Sequence, residues 1–343
     1  MRRILPLFLL IPCVLVAQPP AGYYDAAQGL TGEPLRAALH DIIDDHTVVE
    51  FNSLWSYFFN LDRKPNNKIW DIYSDIPGGT PPYEFVFGAD QCGEYSGEGQ
   101  CYNREHSFPQ SWFNNGTPMV SDIFHIYPTD GWVNGKRANW PYGTVGSATW
   151  TGMNGSKVGS CNYPGCSGTV FEPIDGYKGD LARSYFYMLT RYLGQTQSWS
   201  SPMMTNGEFL PWAESMLVAW HIADPVSQKE IDRNNRIFTS VQHNRNPYID
   251  NPQWVQYIWG PTASVQETRS SLGRIWWDGS NLRVTLNTTA TNASISVLDV
   301  NGRTVVRERF TGSATALALD LASGAYVVVL DTPDGRQVQR VVR

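Results

Sequence analysis

The hydrophobic pattern of this chain changes its period near residue 260, and that change divides the sequence into two kinds of fold. Before it, apolar residues recur at helical spacing in several segments, most clearly in Asp180–Leu193. After it, residues 273–343 alternate with a period of two and contain no His, Lys or Cys. The pattern therefore predicts two domains of different class.

The first part is predicted to be mostly helical, with short strands between the helices. We expect helices at Leu35–Thr47, Asp180–Leu193, Pro211–Ile222 and Val226–Ser240. Two short segments, Ile69–Ile76 and Glu84–Val86, have the composition of strands. This mixture is typical of the α+β class.

The second part is predicted to be a small β-sandwich over residues 271–343, joined by a polar linker at 263–270 to a domain spanning 18–262. The turn dipeptides Asn301-Gly302 and Asp334-Gly335 separate alternating segments. The expected strands are Leu282–Leu286, Ser294–Asp299, Arg303–Phe310, Leu317–Leu321, Ala325–Leu330 and Gln337–Val342.

Residues 1–17 have the layout of a secretory signal peptide. Arg2 and Arg3 precede the apolar stretch Ile4–Val16, which is too short for a permanent membrane anchor, and Ala17 is a suitable last residue before cleavage. No later segment approaches 18 consecutive apolar residues, so no membrane span is expected. We predict export through the periplasm to the cell surface or the medium.

Four cysteines remain after signal cleavage, an even number that indicates disulfides in an exported protein. Four cysteines allow three pairings, and the short separations favour local bonds within two pairs. A structural zinc site is the alternative, although no CxxC spacing occurs. The favoured pairs are Cys92 with Cys101 and Cys161 with Cys166.

One local pattern indicates chemistry. Glu105 and His106 are adjacent, and Asn134 follows 28 residues after the histidine on a predicted short helix. Carboxylate and amide oxygens suit a hard cation such as Mg²⁺, and a histidine can take a proton from water near neutral pH. Taken singly, each residue has an ordinary structural explanation: an ion pair, a core histidine or a surface amide.

Four blocks of sequence, in order between residues 100 and 250, resemble the endonuclease I family of secreted or periplasmic bacterial nucleases with a ββα-metal active site. The blocks are "NREHSFPQSWF", "DIFHIYPTDGWVNGKRANWPYG", "FEPIDGYKGDLARSYFYMLTRY" and "DRNNRIFTSVQHNRNPYID". The ending "LDLASGAYVVVLDTPDGRQVQRVVR" is similar to the C-terminal sorting domain of type IX secretion cargo. A sandwich that binds carbohydrate or cell wall is the alternative for that segment.

The resemblance implies roles for individual residues. His106 matches the general base, and Glu105 and Asn134 match the ligands of Mg²⁺, with Ca²⁺ or Mn²⁺ as alternative cations. Neighbours on a strand face opposite sides, so Glu105 and His106 share a site only at a strand end or bulge. Thr129 is expected to cap the helix that carries Asn134.

The remaining site residues are assigned by their position near these three. No Arg or Lys lies between His106 and Asn134, so Arg104, Lys136 and Arg137 are the nearest candidates for contacting the scissile phosphate. Arg183, Arg191 and Arg245, from the later blocks, are the alternatives. His125 is either a second-shell residue or a core histidine, and Asp130 is expected near the face of Asn134.

The leading hypothesis is a secreted, metal-dependent, nonspecific endonuclease acting on DNA, RNA or both. Its predicted partners are the nucleic acid and the type IX secretion machinery, and it is predicted to be a monomer. Residues 18–265 contain 15 basic and 25 acidic residues, a net charge of −10, so substrate attraction has to be local. The alternative is a non-enzymatic surface adhesin, which does not explain Glu105-His106 with Asn134. Neither HExxH nor GxSxG occurs, which disfavours a protease.

Overall fold

The computed structural model describes residues 19–260, 272–278, 281–299, 303–319, 321–322 and 324–342. The predicted signal peptide at 1–17 and the predicted linker at 263–270 lie outside the described residues. The chain divides between Gly260 and Pro261 into two compact units. Helix and strand are mixed in the chain, and the C-terminal unit is rich in strand.

The N-terminal unit contains eight α-helices and seven strands among its described residues. The helices are α1 Gly32–Ile43, α2 Leu54–Leu61, α3 Gly131–Arg137, α4 Lys178–Arg191, α5 Pro211–Ala223, α6 Gln228–Ser240, α7 Pro247–Asp250 and α8 Gln253–Ile258. The strands are β1 Tyr102–His106, β2 Ile126–Asp130, β3 Val145–Thr151, β4 Lys157–Cys161, β5 Thr169–Glu172, β6 Met204–Thr205 and β7 Glu208–Phe209. They form three small antiparallel sheets, β1-β2, β3-β4-β5 and β6-β7.

Helix α4 is the centre of this unit. All of its residues except Lys178 are buried, and it packs against α1 and α5. A helix that is buried on every side belongs to the core, so its charged residues require internal partners. Arg183 supplies an example, since its guanidinium contacts Glu230 at 2.5 Å and Asp180 at 3.3 Å.

The four predicted helices are confirmed within a few residues as α1, α4, α5 and α6. The predicted strands at Ile69–Ile76 and Glu84–Val86 are wrong. These segments make only isolated bridges, such as that of Lys68 with Val86. Asp71 explains the difference, because its side chain accepts from the Tyr73 amide and its carbonyl from the Asp75 amide. The backbone therefore turns instead of pairing in a ladder.

The buried His221 of α5 is held in its neutral form. Its Nδ1 accepts from Arg183 at 3.3 Å and its Nε2 donates to the Pro252 carbonyl at 2.9 Å. Burial and the charge of Arg183 lower the pKa of His221 from 6.5 to about 4. The unfolded chain therefore binds this proton more readily between those two pH values, and the histidine lowers stability as the pH falls through that window.

We expect His221→Gln to reduce the acid sensitivity of the protein, since glutamine offers one acceptor and one donor but no charge. Between about pH 7.5 and about pH 4.5 the free energy of unfolding of the wild type should fall by about 2–3 kcal/mol more than that of the variant. Denaturant unfolding at the two pH values measures the difference. The exposed His243, changed to asparagine, is the control and should keep the wild-type dependence.

The C-terminal unit is a single five-stranded antiparallel sheet in its described residues. Its strands are β8 Gly273–Trp277, β9 Asn281–Leu298, β10 Thr304–Ala318, β11 Ala325–Thr332 and β12 Gly335–Val342. The order is β10-β9-β11-β12, and β8 pairs with the first half of β9 while β11 pairs with the second half. The core contains Ile275, Leu282, Val284, Ile295, Val297, Val328, Leu330 and Val341.

The predicted two-layer sandwich is corrected by this topology. The segments Leu282–Leu286 and Ser294–Asp299 lie on one long strand, β9, because an alternating pattern does not show where a strand bends. On β10, register shifts surround Gly312, whose φ of 111° suits a bend. The side chain of Gln339 on β12 donates to the Ile275 carbonyl on β8 at 2.7 Å. The sheet thus curls into a half-barrel.

Candidate active site

The candidate site is built on β1, β2 and α3. The two strands are antiparallel, with Tyr102 opposite Asp130 and His106 opposite Ile126, and α3 begins directly after β2. Strand β2 is buried at every residue. This strand–strand–helix unit brings α3 back over β1, and it therefore places Asn134 against Asn103 and Arg104, next in sequence to the Glu105-His106 pair.

Asp130 caps α3, and the predicted Thr129 cap is wrong. The Asp130 Oδ1 accepts from the Val133 amide at 2.8 Å, and its Oδ2 accepts from the Gly99 amide at 2.7 Å. Its own amide donates to Asp71 at 3.0 Å. A carboxylate at this position accepts hydrogen bonds from amides that have no partner within the helix. Its negative charge also interacts favourably with the positive end of the helix dipole. Asp130 therefore positions the helix and does not contact the reacting groups.

Arg137 is a clamp between α3 and the end of β1. Its side chain is 1% exposed. The guanidinium donates to the His106 carbonyl at 3.1 Å and to the Ser107 carbonyl, and its Nε lies 3.4 Å from Glu105 Oε1. The predicted role of Arg137 as a phosphate contact does not fit this burial, since its donors point to protein atoms.

The Glu105 carboxylate is almost completely buried, at 2% exposure. Its Oε1 accepts from the Tyr73 hydroxyl at 2.8 Å. Burial raises the pKa of Glu105 to about 7, while the charge of Arg137 and the Tyr73 hydrogen bond act in the opposite direction. Among the described residues no hydrogen bond to Oε2 is present. A cation at that oxygen would favour the ionised form.

Asn134 lies on α3, one turn before Arg137, and therefore on the face turned to β1. Its Nδ2 donates to Asn103 Oδ1 at 2.7 Å and approaches the Arg104 carbonyl at 3.4 Å. These contacts commit the nitrogen of the amide to β1 and leave the oxygen as the acceptor. The oxygen of Asn134 and the carboxylate of Glu105 are both hard donors, which suit Mg²⁺, Ca²⁺ or Mn²⁺.

His106 is the last residue of β1, which is the strand-end position that the sequence argument requires. Its Nε2 donates to the Val120 carbonyl at 2.9 Å, and its ring stacks on Phe51 at 5.7 Å between centroids. Burial, with the nearby His125, lowers the pKa of His106 to about 3. The ring is therefore neutral, and the lone pair on Nδ1 is its basic position.

Arg104 shares the His106 side of β1, since the two residues are two apart on the strand. Its guanidinium lies 3.7 Å from the centre of the Phe51 ring and 4.7 Å from that of Trp55, and it donates to the Phe51 carbonyl at 2.8 Å. Arg104 is only half-buried, unlike Arg137. It remains the candidate for the phosphate.

His125 is completely buried, and its ring lies 5.4 Å from that of His106. Its Nε2 donates to the Met119 carbonyl at 2.8 Å, and burial lowers the pKa of His125. It is therefore a core histidine, and its ring packs beside that of His106.

Two disulfides are present. Cys92–Cys101 spans the turn before β1, and the Cys101 carbonyl accepts from the Gly131 amide at 2.9 Å. A side chain at Gly131 would meet the Tyr95 ring at 2.7 Å and the Cys92 sulfur at 3.0 Å, so glycine is required where α3 begins. Cys161–Cys166 closes the loop between β4 and β5.

Two residues that hold the site were absent from the sequence interpretation. Tyr73 lies in a segment predicted as a strand, and Phe51 precedes α2 in a segment with no assigned role. Both reach the site over more than 30 residues of chain, so no local spacing could have indicated them. In the described part of the chain, no group of three or more His, Cys, Asp or Glu side chains is arranged to hold a metal. The candidate ligands Glu105 and Asn134 are a smaller set, one carboxylate and one amide.

We expect Tyr73→Phe to weaken metal binding without changing the chemistry. Losing an outer-shell hydrogen bond to a ligand typically lowers metal affinity by about 10–100-fold. Titration of Mn²⁺ by calorimetry measures affinity, and cleavage at saturating metal should stay close to wild type. The half-buried Tyr57 of α2, changed to phenylalanine, is the control. Equal Mn²⁺ affinity in Tyr73→Phe and wild type would show that the Tyr73 hydrogen bond does not support a metal ligand.

Comparisons with known proteins agree with the two-part organisation. A family model described as Endonuclease I matches residues 31–253, and one described as a secretion system C-terminal sorting domain matches residues 279–343. An extracellular ribonuclease of Bacillus subtilis (strain 168) is 33% identical over 253 residues, covering 69% of this chain and 78% of that protein. The extracellular ribonuclease of Bacillus amyloliquefaciens is 33% identical over 258 residues, with the same coverage.

A more distant relative has a different substrate in its name. The extracellular deoxyribonuclease of Aeromonas hydrophila is 26% identical over 172 residues, covering 50% of this chain and 62% of that protein.

Among the described residues, no helix is both long and apolar enough to cross a membrane.

Proposed function

Because this chain belongs to the Endonuclease I family and is secreted, we propose that it is a metal-dependent, nonspecific endonuclease that hydrolyses phosphodiester bonds in nucleic acid. The observation that carries the proposal is the junction of β1 with α3. There Asn134 contacts the Arg104 carbonyl, and Arg137 contacts both Glu105 and the His106 carbonyl. An amide, a carboxylate and a histidine thus lie on adjoining positions of β1 and α3.

His106 is the general base in this mechanism. The Val120 carbonyl holds the Nε2 proton, so Nδ1 is left to take a proton from the attacking water. The imidazolium that results is stabilised by the anionic phosphate beside it, since an opposite charge favours the protonated form. Phe51 and His125 on its two sides keep the ring in one orientation.

Glu105 and Asn134 would hold the cation. A divalent ion in such a site neutralises the charge of the phosphate and stabilises the leaving oxygen. Tyr73 and Arg137 orient the Glu105 carboxylate. Asn103 orients the Asn134 amide. These contacts prepare the ligands before any ion arrives, which is how outer-shell residues raise metal affinity.

Arg104 is proposed to contact the phosphate. One of its nitrogens is held by the Phe51 carbonyl, and the guanidinium plane is supported by the Phe51 and Trp55 rings. A guanidinium fixed in this way keeps further N–H donors for phosphate oxygens.

The substrate is proposed to include RNA. The two relatives at 33% identity are named ribonucleases and the relative at 26% a deoxyribonuclease, so we infer activity on RNA with DNA as a second substrate. The C-terminal unit is proposed to direct the protein to the type IX secretion machinery and to take no part in cleavage.

The test is cleavage of single-stranded DNA, duplex DNA and RNA by the purified secreted protein with Mg²⁺, Ca²⁺ or Mn²⁺, and with EDTA. We expect cleavage of RNA and DNA with at least one of the cations and none with EDTA. Intact substrate in every condition would favour the adhesin alternative. Cleavage that persists in EDTA would contradict the metal-dependent mechanism.

A further inference from the structure

The arginines of the N-terminal unit are distributed unevenly between its interior and its surface. Nine arginines occur between residues 19 and 260. Arg104 is half-buried, and only Arg63 and Arg236 are exposed. The buried ones, each with an internal partner, are Arg36, Arg137, Arg183, Arg191, Arg233 and Arg245.

Both exposed arginines line the same pocket, between the end of α2 and α6. The pocket has a volume of about 280 Å³, and its other lining residues include Lys64, Trp70 and Lys229. A neighbouring cavity of about 360 Å³ shares Arg63 and Arg236. The two arginines therefore lie between two adjacent cavities. Together the cavities extend further than a single small ion requires.

The two lysines of the pocket form ion pairs with carboxylates. Lys64 is paired with Asp75 at 2.5 Å and Glu84 at 3.0 Å, and Lys229 with Asp180 at 3.0 Å. These carboxylates offset the lysines and hold their ammonium groups in place.

The two arginines differ from the lysines in this respect. Among the described ion pairs neither has a carboxylate partner. Arg63 lies over the Phe59 ring at 4.5 Å, and Arg236 donates to the Asn60 carbonyl at 2.7 Å. Asp232 is the one carboxylate of the lining, and it accepts from Gln228 at 2.8 Å. Two guanidinium groups thus face one carboxylate in a domain whose net charge is strongly negative.

We infer that this pocket is a second binding site for the backbone phosphates of the nucleic-acid strand, outside the active site. The inference rests on the proposed function and extends it to how the substrate is held. Planar guanidinium groups match phosphate oxygens in pairs, and here two of them line one pocket. Together with Arg104, this contact supplies the local attraction that a strongly acidic domain needs to hold a nucleic-acid strand.

The pocket lies within reach of a strand bound at the active site. Trp70 is three residues before Tyr73, a span of at most about 11 Å, and the Tyr73 hydroxyl touches Glu105. One turn of DNA is about 34 Å long. A strand about one helical turn long is therefore long enough to reach both Glu105 and the pocket.

Binding in the absence of metal tests the inference without depending on catalysis. The full chain is titrated in EDTA against a fluorescein-labelled single strand of about 20 nucleotides, and anisotropy gives Kd at several salt concentrations. Removing two phosphate contacts in Arg63→Ala/Arg236→Ala should reduce the slope of log K against log salt by about 1.4–1.8. It should raise Kd about tenfold or more. The double variant Arg307→Ala/Arg309→Ala removes two exposed charges from β10 of the other unit and is the matched control.

An unchanged Kd and salt slope in Arg63→Ala/Arg236→Ala would overturn the inference. Inorganic phosphate, titrated alone by calorimetry, separates a strand from a free ion. Tight binding of phosphate with unaltered binding of the oligonucleotide would also overturn it.

Cleavage distinguishes this inference from the proposed function. With Mg²⁺, the double variant should cut the long strand less efficiently through a higher KM, while a dinucleotide that reaches only the active site is cut as by wild type. Equal KM values for the long strand would contradict the pocket while leaving the nuclease proposal intact. Weakened binding in a protein that cuts nothing would contradict the nuclease proposal and leave the pocket standing.

Discussion

Replacement of His106 by alanine is expected to reduce cleavage of RNA and DNA by about 10²–10⁴-fold, the usual effect of losing a positioned general base. The structure explains why no neighbour replaces it. His125, the nearest imidazole, is fully buried and donates to the Met119 carbonyl. Single-turnover cleavage at saturating Mg²⁺ measures the effect on the chemical step and separates it from binding.

The control for His106→Ala is His221→Gln, another change of a buried histidine, which should leave the rate unaltered at neutral pH. Circular dichroism and thermal unfolding establish that the His106 variant folds. If the folded His106→Ala protein cuts within about threefold of wild type, His106 is structural and the mechanism fails.

Replacement of either metal ligand is expected to produce the second large effect. Glu105→Gln and Asn134→Ala should each lower cleavage at a fixed Mg²⁺ concentration by about 10²–10³-fold, comparable to removing one preorganised electrostatic contact. Each should also weaken Mn²⁺ binding measured by calorimetry. Higher metal concentration should restore part of the activity of Asn134→Ala, because Glu105 remains.

The two ligand variants differ in stability, and the difference serves as a control. Glu105→Gln leaves the buried guanidinium of Arg137 without its carboxylate, a loss that typically costs about 3–5 kcal/mol. Asn134→Ala leaves that pair in place but removes the hydrogen bonds of the amide to Asn103 and to the Arg104 carbonyl, so its cleavage is compared with its thermal unfolding. Full activity and unchanged Mn²⁺ affinity in Asn134→Ala would show that the amide is not a ligand.

The structure changes the roles of the two arginines that the sequence placed near the phosphate. In sequence Arg104 and Arg137 are equivalent candidates, one before the Glu105-His106 pair and one after Asn134. In the fold Arg137 points inward and joins α3 to β1, whereas Arg104 lies half-buried against Phe51 and Trp55. Spacing along a chain does not show which way a side chain leaves a short helix, and burial decides it.

The sequence by itself determined the elements whose causes are local. Helical spacing of apolar residues predicted α1, α4, α5 and α6, because the residues on a buried helical face recur every three or four positions in the sequence. The Glu105-His106 pair, Asn134 and the four blocks around them indicated the family. The alternation after residue 273 indicated strands for the same reason.

Only the tertiary structure decided what depends on distant contacts. Tyr73 contacts Glu105, which lies 32 residues later in the sequence. Arg63 and Arg236 line the same pocket although they are far apart in the sequence. The bend of the C-terminal sheet into a half-barrel also arises from packing and not from the alternation of any one strand. These features have no local signature, because the energy that selects them comes from burial and pairing between segments far apart in the chain.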